Sequence, residues 1–334
     1  MKAIVQRGYG DPKDVLELEQ IPVPEIGSDD VLVEVRAAGL HADVWHVVTG
    51  WPFIVRLFGL GLRGPRNPVP GIDMAGVIRE VGSEVSRFSV GDEVYGEVVT
   101  GNQWRNGGVF AEFVGVAESL LEPKPASLSF VEAAAIPTSG LIAWENIRDR
   151  VSPGDAVLVN GAAGGVGMFA VQMAVAAGGE VTAVDAPHKL DALRDLGAHH
   201  VVDYTTTDFT KSGERYALVF DIPGNRTFDD LARIVDDDAE YVLIGHDSWG
   251  ANGGRIIGTT LGKYAAFAIR APFGKRWGAR RPPKNPHPLR LITEMVEAGT
   301  LRPIIDTTYR LDECSEAFAR LQDPDVLGKV MFVP

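Results

Sequence analysis

Apolar and polar positions alternate along Val31-Leu-Val-Glu-Val-Arg36, the pattern of a strand with one buried face. Similar short runs at Ala3–Val5, Ala75–Val81, Glu93–Val99 and Phe110–Val116 are separated by turns containing glycine and proline. Short strands at such spacing predict a compact antiparallel barrel or sandwich. From Phe130 the pattern changes to helical spacing, Phe130–Ile136 and Leu141–Arg148, and then to strands and helices in turn. Ala156–Val159 precedes Met168–Ala177, Val181–Val184 precedes Lys189–Leu196, His200–Val202 follows, Leu218–Asp221 precedes Phe228–Val235, and Tyr241–Ile244 ends the series. Such alternation predicts a parallel, doubly wound sheet of the α/β class. Beyond it, Pro288–Ala298 has helical apolar spacing and Gly328–Val333 reads as a last strand.

One connection carries chemistry. Val157-Leu-Val-Asn-Gly-Ala-Ala-Gly-Gly-Val-Gly167 opens directly onto Met168–Ala174, so a strand, a glycine turn and a helix follow one another without interruption. Glycine lets a backbone turn tightly and approach a phosphate, and the new helix offers unpaired N–H groups and its positive dipole end to the anion. In a GxGxxG reading, Ala162 stands in the first glycine place, with Gly164 and Gly167 in the others. Gly161, Ala163, Gly164, Gly165 and Val166 are the expected pyrophosphate contacts. Asp185 ends the next apolar run, where a carboxylate accepts from ribose hydroxyls. Ligands in open parallel sheets sit at the carboxyl ends of strands, which adds Thr138, Ile222 and Gly224 within the Asp221–Asn225 loop, and Gly245.

Length and composition narrow the function. At 334 residues the chain exceeds a single typical core, so two domains are expected. With 32 basic against 45 acidic residues the net charge is −13, which disfavours nucleic acid and anionic lipid as partners. Cys314 stands alone, so intrachain disulfides and multi-cysteine zinc sites are excluded, and a reducing cytoplasm suits it. The uncharged stretch Ala156–Gly179 contains Asn160, Gln172 and the glycine cluster, and reads as a buried strand and helix, not a membrane span. Met1–Arg7 turns polar too early for a secretory signal. The basic cluster Lys275–Arg281 reads as a solvated loop.

Met1-Lys-Ala-Ile-Val5, Pro70-Gly-Ile-Asp-Met-Ala-Gly76 with Glu80–Val85, Gly91-Asp-Glu-Val94, Gly108–Phe113, the glycine turn, Gly197–Tyr204 and Gly328-Lys-Val330 together resemble the medium-chain dehydrogenase/reductase superfamily. The resemblance is strongest to its zinc-free quinone oxidoreductase branch and neighbouring NAD(P)-dependent alcohol dehydrogenases. It implies a Rossmann doubly wound parallel sheet inserted in a GroES-like β-barrel domain. Residues 1–124 and 285–334 would form the barrel domain, and residues 125–284 the dinucleotide-binding domain. It also implies a homodimer, with Tyr264–Ile269 as an edge strand at the interface.

Zinc-dependent members of that superfamily hold catalytic zinc through a cysteine, a His-Glu pair after a Pro-Gly turn, and a later cysteine. The matching places hold His41, Ile72 with Asp73, and Pro137-Thr-Ser-Gly140, and Ile72 cannot ligate a metal. No zinc is therefore expected, and the cofactor is NAD(H) or NADP(H). In NADPH-using relatives a lysine and a tyrosine reach the 2′-phosphate. Lys189 and Tyr204 are their counterparts, whereas Asp185 replaces a small residue and repels a 2′-phosphate. Use of NADH at least comparable with NADPH follows. The resemblance also places Lys329 at the cofactor.

Without a Lewis acid, hydride transfer best suits an acceptor that is already electron-poor, such as a quinone, an enone or a related carbonyl compound. His41 is the expected proton donor, with Asp43 beside it. Relatives place the acid directly before the tryptophan, where this chain has Val44. Trp45, Trp51, Phe53 and Trp249 are candidate walls for a planar substrate, with Phe58 and Trp104 as further aromatics. Alternatives at this level are an alcohol dehydrogenase or ketone reductase, an enoyl-thioester reductase whose entrance is Lys275–Arg281, and a non-catalytic dinucleotide-binding redox sensor.

Overall fold

A computed structural model describes residues 1–53, 56, 61–99, 105–245 and 288–334. The chain forms two compact units, Met1–Leu141 with Asn285–Pro334, and Ile142–Lys284.

In the first unit β1 (Lys2–Gln6) and β2 (Leu16–Gln20) form an antiparallel pair, linked through the short helix α1 (Pro12–Val15). The larger sheet contains β3 (Asp30–Leu40), β4 (Asp73–Val81), β5 (Glu93–Glu97), β6 (Phe113–Ala117), β7 (Leu121–Pro123), β13 (Ile305–Arg310) and β14 (Lys329–Val333), in the order β13-β14-β3-β4-β5-β7. The long strand β3 is its organiser. One end pairs with β6 through Asp30–Glu34, the other with β14 through Ala38–Leu40, while β4 runs along its opposite edge. Strands from both ends of the chain thus share one sheet, and Phe110 packs edge-on to Phe332 with ring centroids 4.6 Å apart. Both rings are fully buried, which contributes about 2–3 kcal/mol each.

Helices α2 (Ala42–Thr49), α3 (Phe130–Ala134), α8 (Leu289–Glu297) and α9 (Cys314–Gln322) also belong to this unit. His41 caps α2 by accepting from the Asp43 amide, and Gly50 ends that helix at φ 62, a left-handed conformation suited to glycine. Ser129 and Glu132 form a reciprocal capping box on α3. The next helix, α4 (Pro137–Ile147), begins in this unit and carries the chain into the second.

The described residues of the second unit form a five-stranded parallel sheet in the order β10-β9-β8-β11-β12. Its strands are β8 (Ala156–Asn160), β9 (Glu180–Asp185), β10 (His200–Asp203), β11 (Tyr216–Asp221) and β12 (Val235–Leu243), with α5 (Gly167–Ala176), α6 (Leu190–Asp195) and α7 (Phe228–Leu231) between them. Val157, Leu158 and Val159 of β8 are fully buried, as a parallel strand covered on both faces requires. Helix α5 buries Gly167 through Ala174 without a polar face, which accounts for the uncharged stretch. The parallel α/β sheet is the one the alternating elements predicted, and a sheet built from both ends of the chain is what the family resemblance implied.

Local differences have physical causes. Strand β12 starts at Val235, not Tyr241, because a register shift between Tyr216 and Leu218 lets it pass the acidic run after Val235. Helix α7 consequently stops at Leu231. Strands β2, β7 and β13 escaped the sequence pattern, since Leu16–Gln20 and Ile305–Arg310 are mostly half-exposed and β7 has three residues.

Candidate functional site

The order β10-β9-β8-β11-β12 reverses direction between β8 and β11, and ligands of open parallel sheets bind at that switch. Asn160 and Asp221 end these two strands, and the Asn160 amide donates to Asp221 Oδ1 at 2.9 Å. The Gly224 amide donates to the same oxygen at 3.0 Å, and the Tyr241 hydroxyl to Oδ2 at 2.8 Å. This buried carboxylate thereby fixes the loop after β11 against the end of β8. Ile222 donates its amide to the Asn160 carbonyl, and Gly245 to the Ile222 carbonyl, so the loops following β8, β11 and β12 form one connected rim.

The glycine turn lies on that rim. Gly161 has φ +77, and a Cβ there would strike Pro223 Cδ at 2.9 Å. A Cβ on Gly167 would come within 2.3 Å of the Gly161 carbonyl oxygen, so this glycine lets α5 start directly against the turn. Gly164 differs, because among the described residues its Cβ would meet only the Gly161 carbonyl oxygen, at an ordinary 3.5 Å. Val166 offers no side-chain cap, and no acceptor among the described residues takes the amides of Gly165, Val166 or Gly167. A glycine turn at a helix N-terminus, with amides that no described residue takes, fits a dinucleotide pyrophosphate.

Asp185 closes the turn from below. Its Oδ2 accepts from the Ala163 amide at 2.8 Å, its Oδ1 from the Ala186 amide at 2.9 Å, and Lys189 Nζ lies 3.5 Å from Oδ1. Asp185 and Lys189 are both buried. Tyr204 is exposed and donates its amide to the Asp185 carbonyl. The three residues expected to read the adenosine ribose are therefore neighbours at the end of β9.

In the first unit Asp73 begins β4, Lys329 begins β14, and Thr138 and Ser139 lie in the first turn of α4. Asp73 Oδ1 accepts from both the Thr138 amide, at 3.0 Å, and the Thr138 hydroxyl, at 2.5 Å. Lys329 Nζ stands 3.5 Å from Asp73 Oδ2 and donates to Ser139 Oγ at 3.3 Å. All four are buried. Burial lowers the pKa of the Lys329 ammonium, opposed by the charges of Asp73 and Asp43.

His41 is buried at the start of α2, and its Nδ1 accepts from the Asp43 amide at 3.2 Å. That bond assigns the proton of the neutral ring to Nε2, leaving an N–H donor on the far side of the imidazole. Asp43 Oδ2 lies 3.4 Å from the same Nδ1. Among the aromatic candidates, Trp45 packs on the core and meets His46 edge-on, the Trp51 carbonyl holds His46 Nδ1 at 2.7 Å, and Phe53 is exposed with Arg56 over its ring. Trp249, Trp104, Phe58, the 264–269 segment and the basic 275–281 segment lie outside the described residues. Among the described residues no three His, Cys, Asp or Glu side chains gather as a metal site. Likewise, no described helix is long and apolar enough to cross a membrane.

Residues 27–126 match the alcohol dehydrogenase GroES-like domain, and residues 196–331 the family described as zinc-binding dehydrogenase. The whole chain aligns at 31% identity with 79% of a 2-methylene-furan-3-one reductase from Solanum lycopersicum. The chain belongs to the medium-chain dehydrogenase/reductase superfamily. A chloroplastic NADPH-dependent alkenal/one oxidoreductase from Arabidopsis thaliana is also 31% identical, over 100% of this chain and 80% of its own length. A quinone oxidoreductase structure from Coxiella burnetii superimposes with a TM-score of 0.84 at 26% identity, covering 100% of this chain and 99% of that one. This medium-chain dehydrogenase/reductase is thus an oxidoreductase of the quinone oxidoreductase-like branch.

Sequence reasoning about this superfamily member passed over Asn160, Ser139 and the pairing of Asp73 with Lys329. A polar residue ending a buried strand was the available signal for Asn160. The other contacts join residues far apart in the chain, and no local pattern announces them.

Proposed function

We propose that the chain is a zinc-independent NAD(P)H-dependent reductase of quinones, enones or related carbonyl compounds. The glycine turn carries this reading, because among the described residues a Cβ at Gly164 would meet only the Gly161 carbonyl oxygen and no acceptor takes the amides of Gly165 to Gly167, which suits a pyrophosphate. Names of the relatives support the acceptor class: an exocyclic methylene-furanone, alkenals and quinones are all electron-poor conjugated acceptors.

In this reading Gly161, Ala163, Gly164, Gly165 and Val166 bind the pyrophosphate, and Ile222, Gly224 and Gly245 line the rim for the ribose. Asp185, Lys189 and Tyr204 meet the adenosine end, and Thr138 faces the nicotinamide, with Lys329 behind it. Bound reduced nicotinamide supplies a hydride. His41 Nε2–H donates a proton or hydrogen bond to the acceptor oxygen, while the Asp43 amide, donating to Nδ1, holds the ring. Burial of His41 keeps that N–H out of competition with water. Trp51 and Phe53 are the aromatic walls within the described residues. Ile72 in a ligand place supports chemistry without zinc. The reading includes a homodimer, tested by light scattering, and a cytoplasmic location suited to one buried thiol.

The test is oxidation of NADH and NADPH by a panel of quinones, enones and aldehydes after chelation, with metal content measured on the same sample. Turnover by the metal-free protein is the expected result. Stoichiometric zinc required for turnover, or tight nucleotide binding with only trace turnover, overturns it.

A further inference from the structure

Asp73 and Lys329 are 256 residues apart in sequence, 329 minus 73, yet their charges face each other with almost no access to solvent, side-chain exposure being 0% and 2%. Removing two charges from water costs several kcal/mol per ion, and apolar side chains of similar volume fill such a place with equal or better stability. Stabilisation is therefore not what this pair does best. Its hydrogen bonds point elsewhere. Asp73 Oδ1 takes both donors of Thr138, its amide and hydroxyl, and Lys329 donates to the hydroxyl of Ser139. Both side chains thus reach the same turn of α4. Backbone geometry favours the arrangement: Gly39 pairs with Asp73 across β3 and β4, and a Cβ at Gly39 would meet the Ala134 carbonyl oxygen at 2.8 Å and Asp73 Cβ at 3.2 Å. A side chain at that place would push α3 and the carboxylate apart.

We infer that Asp73 and Lys329 are positioning residues, an ionic latch joining β4 and β14 that sets the Thr138–Ser139 turn at the start of α4 for the nicotinamide. The inference rests on the proposed function in one respect, the assignment of Thr138 to the nicotinamide. Lys329 acts through Asp73 and Ser139. Its ammonium faces the carboxylate that accepts twice from Thr138, and it fixes the neighbouring hydroxyl directly.

The experiment compares the full-length wild type with Asp73→Leu/Lys329→Met, Thr138→Val and Phe318→Leu. Phe318 is a buried core residue of the same unit that shares no hydrogen bond or ion pair with Asp73 or Lys329, so its variant measures what lost stability does to activity. Thermal stability, kcat and KM with an accepted quinone, and the fluorescence enhancement of bound NADPH are read on each. The enhancement reports seating of the reduced nicotinamide without turnover. In the double variant we expect a Tm close to wild type, since both charges are replaced together, kcat down by about tenfold or more, and acceptor KM within about threefold. The NADPH enhancement should fall by about half or more, although the nucleotide still binds through the glycine turn. Wild-type kcat and wild-type enhancement in the double variant overturn the inference. So does a Phe318→Leu variant that loses kcat in the same proportion to its loss of Tm. Should the double variant not fold, Thr138→Val decides, with unchanged kcat and enhancement overturning the latch and a fall in both supporting it. If wild type reduces no quinone or enone, the proposed substrate class fails, and the enhancement alone then judges the latch.

Discussion

The carboxylate of Asp185 accepts from the amide of Ala163 at 2.8 Å, so the residue that ends β9 is also a fastener of the glycine turn after β8. On the proposed function an acid at this place has two tasks, holding the turn and discriminating between ribose and 2′-phosphate. Lys189, 3.5 Å away, partly offsets its charge, which in that reading leaves NADPH as well as NADH able to bind.

Asp185→Gly separates these tasks from each other. Loss of the acceptor leaves the Ala163 amide without its partner, at a cost of about 1–3 kcal/mol and a visibly lower Tm. The NADH/NADPH ratio of kcat/KM should move toward NADPH by about tenfold, the effect of one removed like charge beside a phosphate. An unchanged ratio would show that Asp185 holds only the turn.

Two glycines of one turn should respond differently to the same added methyl. Gly164→Ala introduces a Cβ with one ordinary contact, so Tm should stay within about a degree or two while the NAD(P)H Kd rises about tenfold or more. Gly167→Ala drives a Cβ into the Gly161 carbonyl at 2.3 Å, and its Tm should drop with or without nucleotide. Thermal shift with and without NADPH distinguishes the two, and equal losses of Tm would contradict the open face at Gly164.

His41 both caps α2 and presents Nε2–H. His41→Asn retains a capping side chain without the imidazole, and His41→Ala retains neither. Both variants should lose about 10²-fold in kcat if the ring donates the proton, while only His41→Ala should also lose about 1 kcal/mol of stability. Full kcat in His41→Asn would reduce the histidine to a helix cap.

Asp306 links β13 to α9 through paired bonds to Arg320 at 2.6 and 2.7 Å, and also accepts from the Leu327 amide. Burial alone would raise its pKa; the Arg320 fork, the Leu327 amide and the Thr307 hydroxyl outweigh burial and hold it below 3.8. A depressed folded-state pKa gives stability that is complete above the unfolded value near 3.8 and is lost as pH falls through the folded value. Asp306→Asn should therefore lower stability by about 1–3 kcal/mol at neutral pH, with the gap from wild type closing below about pH 4. Denaturant titrations across that range check it, and a gap that widens on acidification would refute the sign.

Much of the second unit was legible in the chain because its signals are local. The run Val157–Val159, the glycines after it and the uncharged helix beyond are consecutive, and burial on both faces leaves strand and helix without polar residues. Half-exposed β2 and β13 carry no such pattern, since a strand with little buried surface tolerates almost any residue. The candidate site divides similarly. Asp185, Lys189 and Tyr204 were readable from their places around β9, whereas the direction of the Asp185 carboxylate was not, because the turn amide and a ribose hydroxyl are equivalent donors until the loop is folded.

By itself the sequence determined the alternation of strands and helices, the dinucleotide turn and the absence of a ligating side chain at Ile72, each a property of neighbouring residues. Only the tertiary structure decided that Asp73, Thr138, Ser139 and Lys329 meet. Their contact depends on β14 and β4 flanking opposite edges of β3, and on Gly39 leaving room between strand and helix. A buried charge finds its partner through the register of distant strands, and that register is settled when the two ends of the chain close one core.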